Sequence, residues 1–503
     1  MFYESTRGNY QPLPSAGAIK LGIAPDGGLF VPTEKVTFSM ADISAMAGLG
    51  YQDRAAKILQ SFLTDFTGEE LARCINGAYN EISFDHPDVA PLVDLDEGLS
   101  VLELWHGPTC AFKDMALQIL PHFLVQSMGK TGEDAGILIL VATSGDTGKA
   151  ALEGFKDVPR TAIVVFYPEE GVSEVQRLQM VTQEGKNVGV VAVRGNFDDT
   201  QSGVKEIFGD PGMAETALKY GYKFSSANSI NWGRLVPQIV YYFSAYADLL
   251  KRGRLKVGEP VNFVVPTGNF GNILAGFYAR QMGLPVNRLI CAANDNNVLT
   301  DFIRTGIYDR NRAFKRTISP SMDILISSNL ERLLFELTGH DAPRVRQWMA
   351  DLKEHGRYEV DSTTRDMIQE LFWSDFASDE ETLVSIKQNY NQYKYVVDTH
   401  TAVGLHVYRK YRESTGDKFL TIVLSTASPF KFNASVTRAL LGEDNTNDKD
   451  EFALLQMLAD FSDLPVPPGL RALDRRPVRH KVVVDRDNMR EAVIDFLRAG
   501  DCN

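Results

Sequence analysis

Short runs of aliphatic and β-branched residues recur along the middle of the chain and alternate with segments of helical periodicity. Runs that are apolar at nearly every position are typical of strands buried on both faces of a parallel sheet. We therefore predict an α/β core with a parallel sheet. Its predicted strands are Ile137–Val141, Thr161–Phe166, Val188–Val193, Val261–Val265, Arg288–Cys291 and Phe419–Leu424.

A second pattern predicts one long amphipathic helix. From Trp232 to Leu250, apolar residues return at spacings of three and four, which places them on one face of a helix. We expect this face to pack on the sheet.

Changes in these patterns divide the chain into three parts. Residues 1–97 combine a Gly/Pro-rich opening with helical segments around 54–66 and 69–82, which predicts an N-terminal module. Residues 98–442 form the α/β core of two interleaved open subdomains, the smaller one at roughly 136–225. After the acidic run EDNTNDKDE, residues 443–503 are predicted to form a C-terminal helical appendage.

Composition and charge exclude several classes of protein. The 503 residues carry a formal net charge of −13, which argues against binding to a nucleic-acid backbone. The four cysteines are too far apart for a disulfide framework, and the N-terminus lacks the pattern of a signal peptide. Apolar runs are too short to span a membrane. We expect a cytoplasmic protein without membrane association.

Lys113 is the first candidate for chemistry. It stands in HGPTCAFKD, where a Gly-Pro turn leads into a segment with apolar residues at helical spacing. The lysine should therefore face inward, and burial lowers the pKa of an amine, as a Schiff-base nucleophile requires. The alternative is a surface lysine beside Asp114. Cys110 near His106 is a weaker candidate because no group that would activate a thiol is evident.

Three strand-to-helix turns are candidates for anion binding, because the start of a helix presents free N–H groups. VATSGDTGK resembles a Walker A loop but has Thr143 and Ala150 at positions that this motif reserves for Gly and Ser or Thr. VVPTGNFGNI packs two glycines and two asparagines into a turn without matching the dinucleotide motif. In SSANSINWGR, Arg234 lies in the first turn of the long helix.

Each turn has a simpler interpretation as a capped helix or a tight turn. Together with a buried lysine, however, they predict a phosphorylated cofactor and a phosphorylated substrate in one cleft. The eight histidines show no metal-ligand spacing, and Asp398-Thr399-His400 has no evident nucleophile partner, so we expect no metal.

These segments resemble the threonine synthase family, of the longer microbial and fungal type, among the fold-type II pyridoxal-phosphate enzymes. The resemblance covers nearly the whole chain. It rests on FYESTRG, GIAPDGGLFVP, HGPTCAFKD, ATSGDTG, SSANSINWGR, PTGNFGN, SPSMDILISSNLERLLFEL, DTHTAVG and LSTASPFKF, in that order.

The resemblance implies a role for individual residues. Lys113 would carry pyridoxal 5'-phosphate as a Schiff base, Thr426 would bind the pyridine nitrogen, and Asp146 would lie near the ring. The residues implied for the cofactor phosphate are Gly268, Asn269, Phe270, Gly271 and Asn272. The candidates for the substrate's carboxylate and phosphate are Ser144, Thr147, Ser229, Asn231 and Arg234.

The implied activity is that of a carbon–oxygen lyase acting on phosphates in threonine biosynthesis. O-phospho-L-homoserine and water would give L-threonine and phosphate by γ-elimination and β-addition, in a monomer or homodimer. A phospho-lyase that releases 2-oxobutanoate, ammonia and phosphate needs the same lysine and phosphate contacts, so the sequence leaves it open. A dehydratase or cysteine-synthase type is disfavoured because Arg234 and Ser229 suggest a doubly charged substrate. A catalytically inactive binding protein on the same fold is a further alternative.

Overall fold

The computed structural model describes residues 1–143, 145–170 and 172–501. The chain begins with a small antiparallel sheet, in the order β2-β1-β3, packed with helices. These elements are β1 (Phe2–Ser5), β2 (Leu13–Pro14), α1 (Ser15–Leu21), β3 (Phe30–Pro32), α2 (Met40–Ala45), α3 (Tyr51–Phe62) and α4 (Gly68–Ala78).

The α/β part of the chain follows, and its first half supplies most of the smaller parallel sheet. Its elements are β4 (Leu92–Asp94), β5 (Leu99–Glu103), α5 (Asp114–Leu117), α6 (Leu120–Lys130), β6 (Gly136–Ala142), α7 (Asp146–Phe155), β7 (Thr161–Pro168), α8 (Glu174–Val181), β8 (Val188–Arg194), α9 (Phe197–Gly209), α10 (Pro211–Lys219) and β9 (Tyr222–Ser225).

The second half of the α/β part contains the other strands of the larger sheet. Its elements are α11 (Trp232–Lys251), β10 (Val261–Pro266), α12 (Gly271–Gln281), β11 (Val286–Ala293), α13 (Val298–Thr305), β12 (Ile307–Asp309), α14 (Leu330–Leu337), α15 (Ala342–His355), β13 (Arg357–Glu359), α16 (Ser362–Leu371), β14 (Phe372–Phe376), α17 (Asp379–Tyr393), α18 (Thr399–Thr415), β15 (Thr421–Ser425) and α19 (Asn433–Leu441).

Two open sheets organise the described residues, as the sequence predicts. The larger has the order β14-β11-β10-β15-β5-β4 and is parallel except for β4. The smaller has the order β16-β8-β7-β6-β9, where β16 (Val482–Asp485) comes from the C-terminal segment, and it is parallel throughout. All six predicted strands lie in these sheets. The α/β class is confirmed, and its cause is visible in the burial of β7, β10 and β15 at every position.

The long helix is also confirmed. Helix α11 runs from Trp232 to Lys251. Nearly all of its residues are buried, because α12, α3 and several other helices pack around it. A helix buried on most sides carries apolar residues around much of its circumference.

The C-terminal segment differs from the helical appendage that the sequence predicts. It contains the helices α20 (Glu443–Thr446), α21 (Glu451–Ser462) and α22 (Met489–Asp501), but also the strand β16 (Val482–Asp485). This strand pairs in parallel with β8 and completes the smaller sheet, to which α22 adds buried side chains. A short, mostly exposed edge strand leaves a weak signal in the sequence. The division into three parts stays a prediction.

In the ranges given above, no helix has the length and apolar character needed to cross a membrane. Several loops that leave the carboxyl ends of parallel strands meet between the two sheets, where ligands bind in open α/β folds. These loops follow β5, β6, β10 and β15, and they carry most of the candidate residues.

Candidate active site

Lys113 lies at a locked turn just before α5. Both carboxylate oxygens of Asp114 are used inside this turn, since Oδ2 accepts from the backbone N–H of Thr109 at 2.8 Å and Oδ1 accepts from its hydroxyl at 2.7 Å. Asp114 is fully buried. The Lys113 side chain is only 11% exposed. The alternative of a surface lysine beside Asp114 is therefore wrong.

The amine of Lys113 instead faces two polar groups from distant segments. Its Nζ donates to Oγ of Ser321 over 3.0 Å and lies 3.6 Å from Oδ2 of Asp146. The Ser321 hydroxyl also donates to that same Oδ2 over 3.0 Å. A lysine, a hydroxyl and a carboxylate thus form one small cluster at the bottom of the cleft.

Asp146 begins α7 and is buried among positive charge. Its Oδ1 lies 3.1 Å from Nζ of Lys431 and accepts from Nε2 of Gln176 at 2.8 Å. The Lys431 side chain has no exposed area and also donates to the carbonyl of Thr109 over 2.8 Å. Two lysines therefore share one carboxylate.

This arrangement shifts the protonation of both groups. Burial lowers the pKa of Lys113, and the charges of Lys431 and Arg234 lower it further, against the opposing effect of Asp146. Burial by itself would raise the pKa of Asp146, but Lys431 and Lys113 hold that pKa well below its usual range. The site thus favours an ionised carboxylate beside an amine that loses its proton more easily than an exposed lysine.

The glycine-rich turn between β10 and α12 has the shape of an anion cradle. Phe270 takes a left-handed conformation (φ 62°) immediately before α12, and Gly268 lies under the Ser321 loop. A Cβ at Gly268 would come within 2.6 Å of the Ser321 carbonyl oxygen, so only glycine fits there. The amides of Gly271 and the residues after it start the helix, where they attract negative charge.

Asn272 offers an unused donor at this turn. Its Oδ1 accepts from the hydroxyls of Tyr241 at 2.6 Å and Tyr242 at 3.0 Å. Its Nδ2 is buried and has no hydrogen-bond partner in the described part of the chain. Since an unpaired buried N–H is costly, this amide indicates a place for a ligand acceptor.

Arg234 presents a second unused donor from the start of α11. Its Nη1 donates to the carbonyl of Ala227 over 2.7 Å, while its buried Nε finds no partner among the residues described. Burial lowers the pKa of the guanidinium to about 10. Gln238 and Tyr241 follow on the same helix; Gln238 donates to the Arg234 carbonyl, and its Oε1 lies 3.0 Å from the Tyr241 hydroxyl oxygen. One face of α11 therefore connects Arg234 with Asn272.

Thr426 lies beside the lysine turn, at the end of β15. Its carbonyl accepts from the backbone N–H of Phe112 over 2.8 Å, and a bridge joins Ala111 to Ala427. Thr426 is buried, with 4% exposure. The structure thus brings Lys113 and Thr426, which are distant in sequence, into adjacent backbone segments.

The remaining substrate candidates are less uniform. Thr147 is half-buried next to Asp146, and Ser229 reaches Ser328 over 3.4 Å, which in turn donates to Oδ1 of Asn269. Ser144 lies outside the described residues.

Asn231 is placed differently from its expected role. It caps α11 by accepting from Gly233, and both hydrogens of its amide go to the carbonyls of Ile19 and Ser226. With no exposed area and no N–H left to donate, Asn231 has a structural role, and we assign it no substrate contact.

Four residues of this site escape the sequence reasoning: Ser321, Lys431, His400 and Gln176. His400 accepts from the Ser321 backbone N–H at Nε2 and contacts Asp398 at Nδ1 over 2.7 Å. Ser321, His400 and Lys431 stand in three of the motifs quoted for the resemblance, and this was the available signal. Gln176 stands in none of them.

The cleft fits a phosphorylated aldehyde better than other cofactors. The sheltered amine suits an aldehyde, and the glycine turn with the unpaired Asn272 amide suits a phosphate ester. The thiol of Cys110 is no competing nucleophile, because burial raises its pKa to about 12. No group of three or more potential metal ligands is present within the described ranges.

Comparisons with known proteins agree with this geometry. The family model for the threonine synthase N terminus matches residues 2–79, and the model for the threonine synthase C-terminal region matches residues 401–496. Threonine synthase of Pseudomonas aeruginosa is 40% identical over 447 residues, which cover 88% of this chain and 91% of that protein.

Two further matches extend over 97% and 100% of the chain. Threonine synthase-like 1 of Homo sapiens is 38% identical over 97% of this chain, and the chain spans 64% of the length of that relative. The crystal structure of PLP-bound threonine synthase from Brucella melitensis superposes with a TM-score of 0.88 at 36% identity and covers 100% of both chains.

Proposed function

The chain belongs to the threonine synthase family, and from this we propose that it is a pyridoxal-phosphate-dependent threonine synthase. It converts O-phospho-L-homoserine and water into L-threonine and phosphate. The observation that carries this proposal is the sheltered amine of Lys113 in a cleft that also holds two buried, unpaired N–H donors, on Asn272 and Arg234. One donor suits the phosphate of the cofactor and the other that of the substrate.

Pyridoxal 5'-phosphate is the cofactor that these residues fit. Lys113 would hold its aldehyde carbon, and Gly268 to Asn272 would hold its phosphate. When bound, its conjugated ring supplies an electron sink for negative charge that develops on the substrate carbons. The neutral hydroxyl of Thr426 is proposed to bind the ring nitrogen. Asp146, whose Oδ2 lies 3.6 Å from Nζ of Lys113, would lie near the ring.

Lys113 is proposed to move protons at the substrate carbons once its amine is free. Its lowered pKa leaves a larger neutral fraction than that of an exposed lysine, so the amine can act as a base. The ammonium formed afterwards would be stabilised by Asp146 and Ser321, whose oxygens lie 3.6 Å and 3.0 Å from Nζ in this structure. Lys431 also lies beside Asp146, but its side chain is fully enclosed.

Arg234 is proposed to bind the substrate phosphate and to aid its departure. Charge develops on the leaving oxygen, and a fixed guanidinium with a free N–H stabilises such charge without reorganising. Thr147 and Ser229 are proposed to complete the contacts with the substrate's carboxylate and phosphate. The enclosure of Arg234 keeps water away from this interaction and strengthens it.

The test is incubation of the full-length protein with pyridoxal 5'-phosphate and O-phospho-L-homoserine, followed by analysis of amino acids, keto acids and phosphate. Equal amounts of L-threonine and phosphate are expected. Release of 2-oxobutanoate and ammonia instead would identify the phospho-lyase activity. Protein that stays colourless after addition of the cofactor and forms no product would favour the inactive binding protein. Light scattering on the same sample tests the predicted monomer or homodimer.

A further inference from the structure

The hydroxyl of Ser321 lies between the two charged groups of the site. Its Oγ is 3.0 Å from Nζ of Lys113 and 3.0 Å from Oδ2 of Asp146. A hydroxyl has one hydrogen to donate, and an ionised carboxylate can only accept. The hydrogen therefore goes to Asp146, and a lone pair of Oγ accepts an N–H of Lys113.

Lys431 keeps this direction fixed by acting on Asp146. Its ammonium group, 3.1 Å from Oδ1, and the amide of Gln176 occupy one carboxylate oxygen and leave Oδ2 to Ser321. The side chain of Lys431 is enclosed, with no exposed area. Its position suits a counterion for Asp146 and not a second reacting amine.

Ser321 itself is held from two sides. Its backbone N–H donates to Nε2 of His400 over 3.1 Å, and because this nitrogen accepts, the ring hydrogen lies on Nδ1 and is donated to Asp398. The carbonyl of Ser321 rests against Gly268. The hydroxyl is therefore fixed near the amine by a loop with few alternative positions.

We propose that Ser321 is a catalytic residue of this site. Its hydroxyl accepts an N–H of Lys113 and so leaves the lone pair of the amine free for attack. Lys431 is a positioning residue that enforces this direction of the hydrogen bond through Asp146. In this attack the amine nitrogen bonds to the aldehyde carbon, and the carbonyl oxygen leaves as water with the two hydrogens of the amine. A hydroxyl that instead donated to the amine would occupy the lone pair that forms this bond. The proposal rests on the proposed function only for the identity of the aldehyde that Lys113 attacks.

The charges that face these groups are known from every element around them. Lys113 faces the charges of Asp146, Lys431 and Arg234, while Asp146 faces the charges of Lys431 and Lys113 and the titratable ring of His400. Loss of the Lys431 charge makes protonation of Asp146 easier and raises the pKa of Lys113. A change at Lys431 is therefore expected to move the pH at which the amine becomes reactive, whereas a change at Ser321 affects how well the neutral amine reacts.

Two measurements on the full-length chain separate these effects, after the cofactor has been removed. The first is reductive methylation with formaldehyde and cyanoborohydride, followed at Lys113 by peptide mass spectrometry between pH 6 and 10. The second is rapid mixing with pyridoxal 5'-phosphate, followed by the absorbance of the lysine-bound cofactor. Each gives a rate that rises with pH to a plateau, where the amine is neutral.

Ser321→Ala is expected to lower the plateau rate about tenfold in both measurements, the size of effect that one hydrogen bond supports. Ser321→Thr should restore it, and Ser321→Cys, with its weakly hydrogen-bonding thiol, should stay low. The matched control is Ser100→Ala, since Ser100 also donates to a carboxylate, that of Asp94, at 2.7 Å. Plateau rates of Ser321→Ala and Ser321→Cys equal to that of the unaltered chain would overturn the role of Ser321.

Lys431→Met is expected to keep the plateau and to move the midpoint of the pH profile to more alkaline pH. The control is Lys149→Met, which removes a buried lysine that pairs with Glu153 at 2.9 Å. An unmoved midpoint, or a plateau lowered as in Ser321→Ala, would overturn the role of Lys431. Methylation needs neither cofactor nor substrate, so it tests this inference separately from the proposed function. If the unaltered chain made no threonine but Ser321→Ala still slowed methylation, the proposed function would be refuted and this inference would stand.

Discussion

The hydroxyl oxygen of Tyr241 lies 2.6 Å from Oδ1 of Asn272. The Tyr242 hydroxyl lies 3.0 Å from the same oxygen, so two tyrosines hold this end of the side chain, while Nδ2 at the other end is buried without a partner in the described residues. The amide of an asparagine can otherwise rotate to present either end. The buried tyrosine pair on α11 thus holds in place a side chain that belongs to α12.

Asn272→Ala should weaken the binding of pyridoxal 5'-phosphate by at least tenfold, because a hydrogen bond to a charged group contributes about 1.5–3 kcal/mol. Tyr241→Phe should weaken it less, since Tyr242 still holds the amide. Equilibrium titration of the cofactor measures both. Tyr246→Phe is the control, because Tyr246 also lies on α11 but its hydroxyl donates to the carbonyl of Glu259. Unchanged affinity in Asn272→Ala would refute its contact with the cofactor.

Lys113→Ala should abolish the absorbance of the lysine-bound cofactor and lower activity by about 10²–10⁴-fold or more, because it removes the nucleophile and the proposed base together. Absorbance spectra and product formation measure the two effects. Lys149→Met, which removes another buried lysine, should keep both. A variant at Lys113 that retained the chromophore would show that another amine, such as that of Lys431, carries the cofactor.

Arg234→Lys should raise KM for O-phospho-L-homoserine about tenfold or more, while the cofactor absorbance stays unchanged. A lysine keeps the charge but loses the planar fork and the unpartnered Nε that we propose to bind the phosphate. Steady-state kinetics measure this. Arg54→Lys is the control, because Arg54 is equally buried but pairs with Asp248 at 2.8 Å. That change should lower the stability of the protein and leave KM unchanged.

His106 makes the stability of the protein depend on pH. Burial by itself would lower its pKa, but hydrogen bonds to Asp85 at 2.6 Å and Glu103 at 2.7 Å raise it to about 9. Because the folded protein holds this proton more tightly than the unfolded chain, the stabilisation is complete below about pH 6.5 and is lost as the pH rises through 9.

His106→Gln should therefore make the free energy of unfolding less dependent on pH in the alkaline range. Denaturant unfolding at pH 6.5 and pH 9.5 compares the two proteins, and we expect the free energy of unfolding of the unaltered chain to fall by up to about 3 kcal/mol more than that of the variant. Parallel losses in the two proteins would contradict the assignment to His106.

Local sequence was sufficient for the elements and for part of the site. Continuous apolar runs predicted the buried parallel strands, and the spacing of apolar residues predicted α11, because both patterns reflect burial that neighbouring residues share. Lys113 and the glycine-rich turn were also evident, since their chemistry is written in adjacent residues. The strand β16 was missed because an exposed edge strand of four residues has no buried face to repeat.

The sequence by itself determined the α/β class, the helix that carries Arg234, and the two segments that contain the amine of Lys113 and the glycine-rich turn. Only the tertiary structure decided that Ser321 and Lys431 reach Asp146 from segments 175 and 285 residues away, and that Asn231 serves the fold. A polar side chain acquires its role from the partners that surround it once buried, and strand order brings those partners together. The periodicity of a local sequence carries no record of that order.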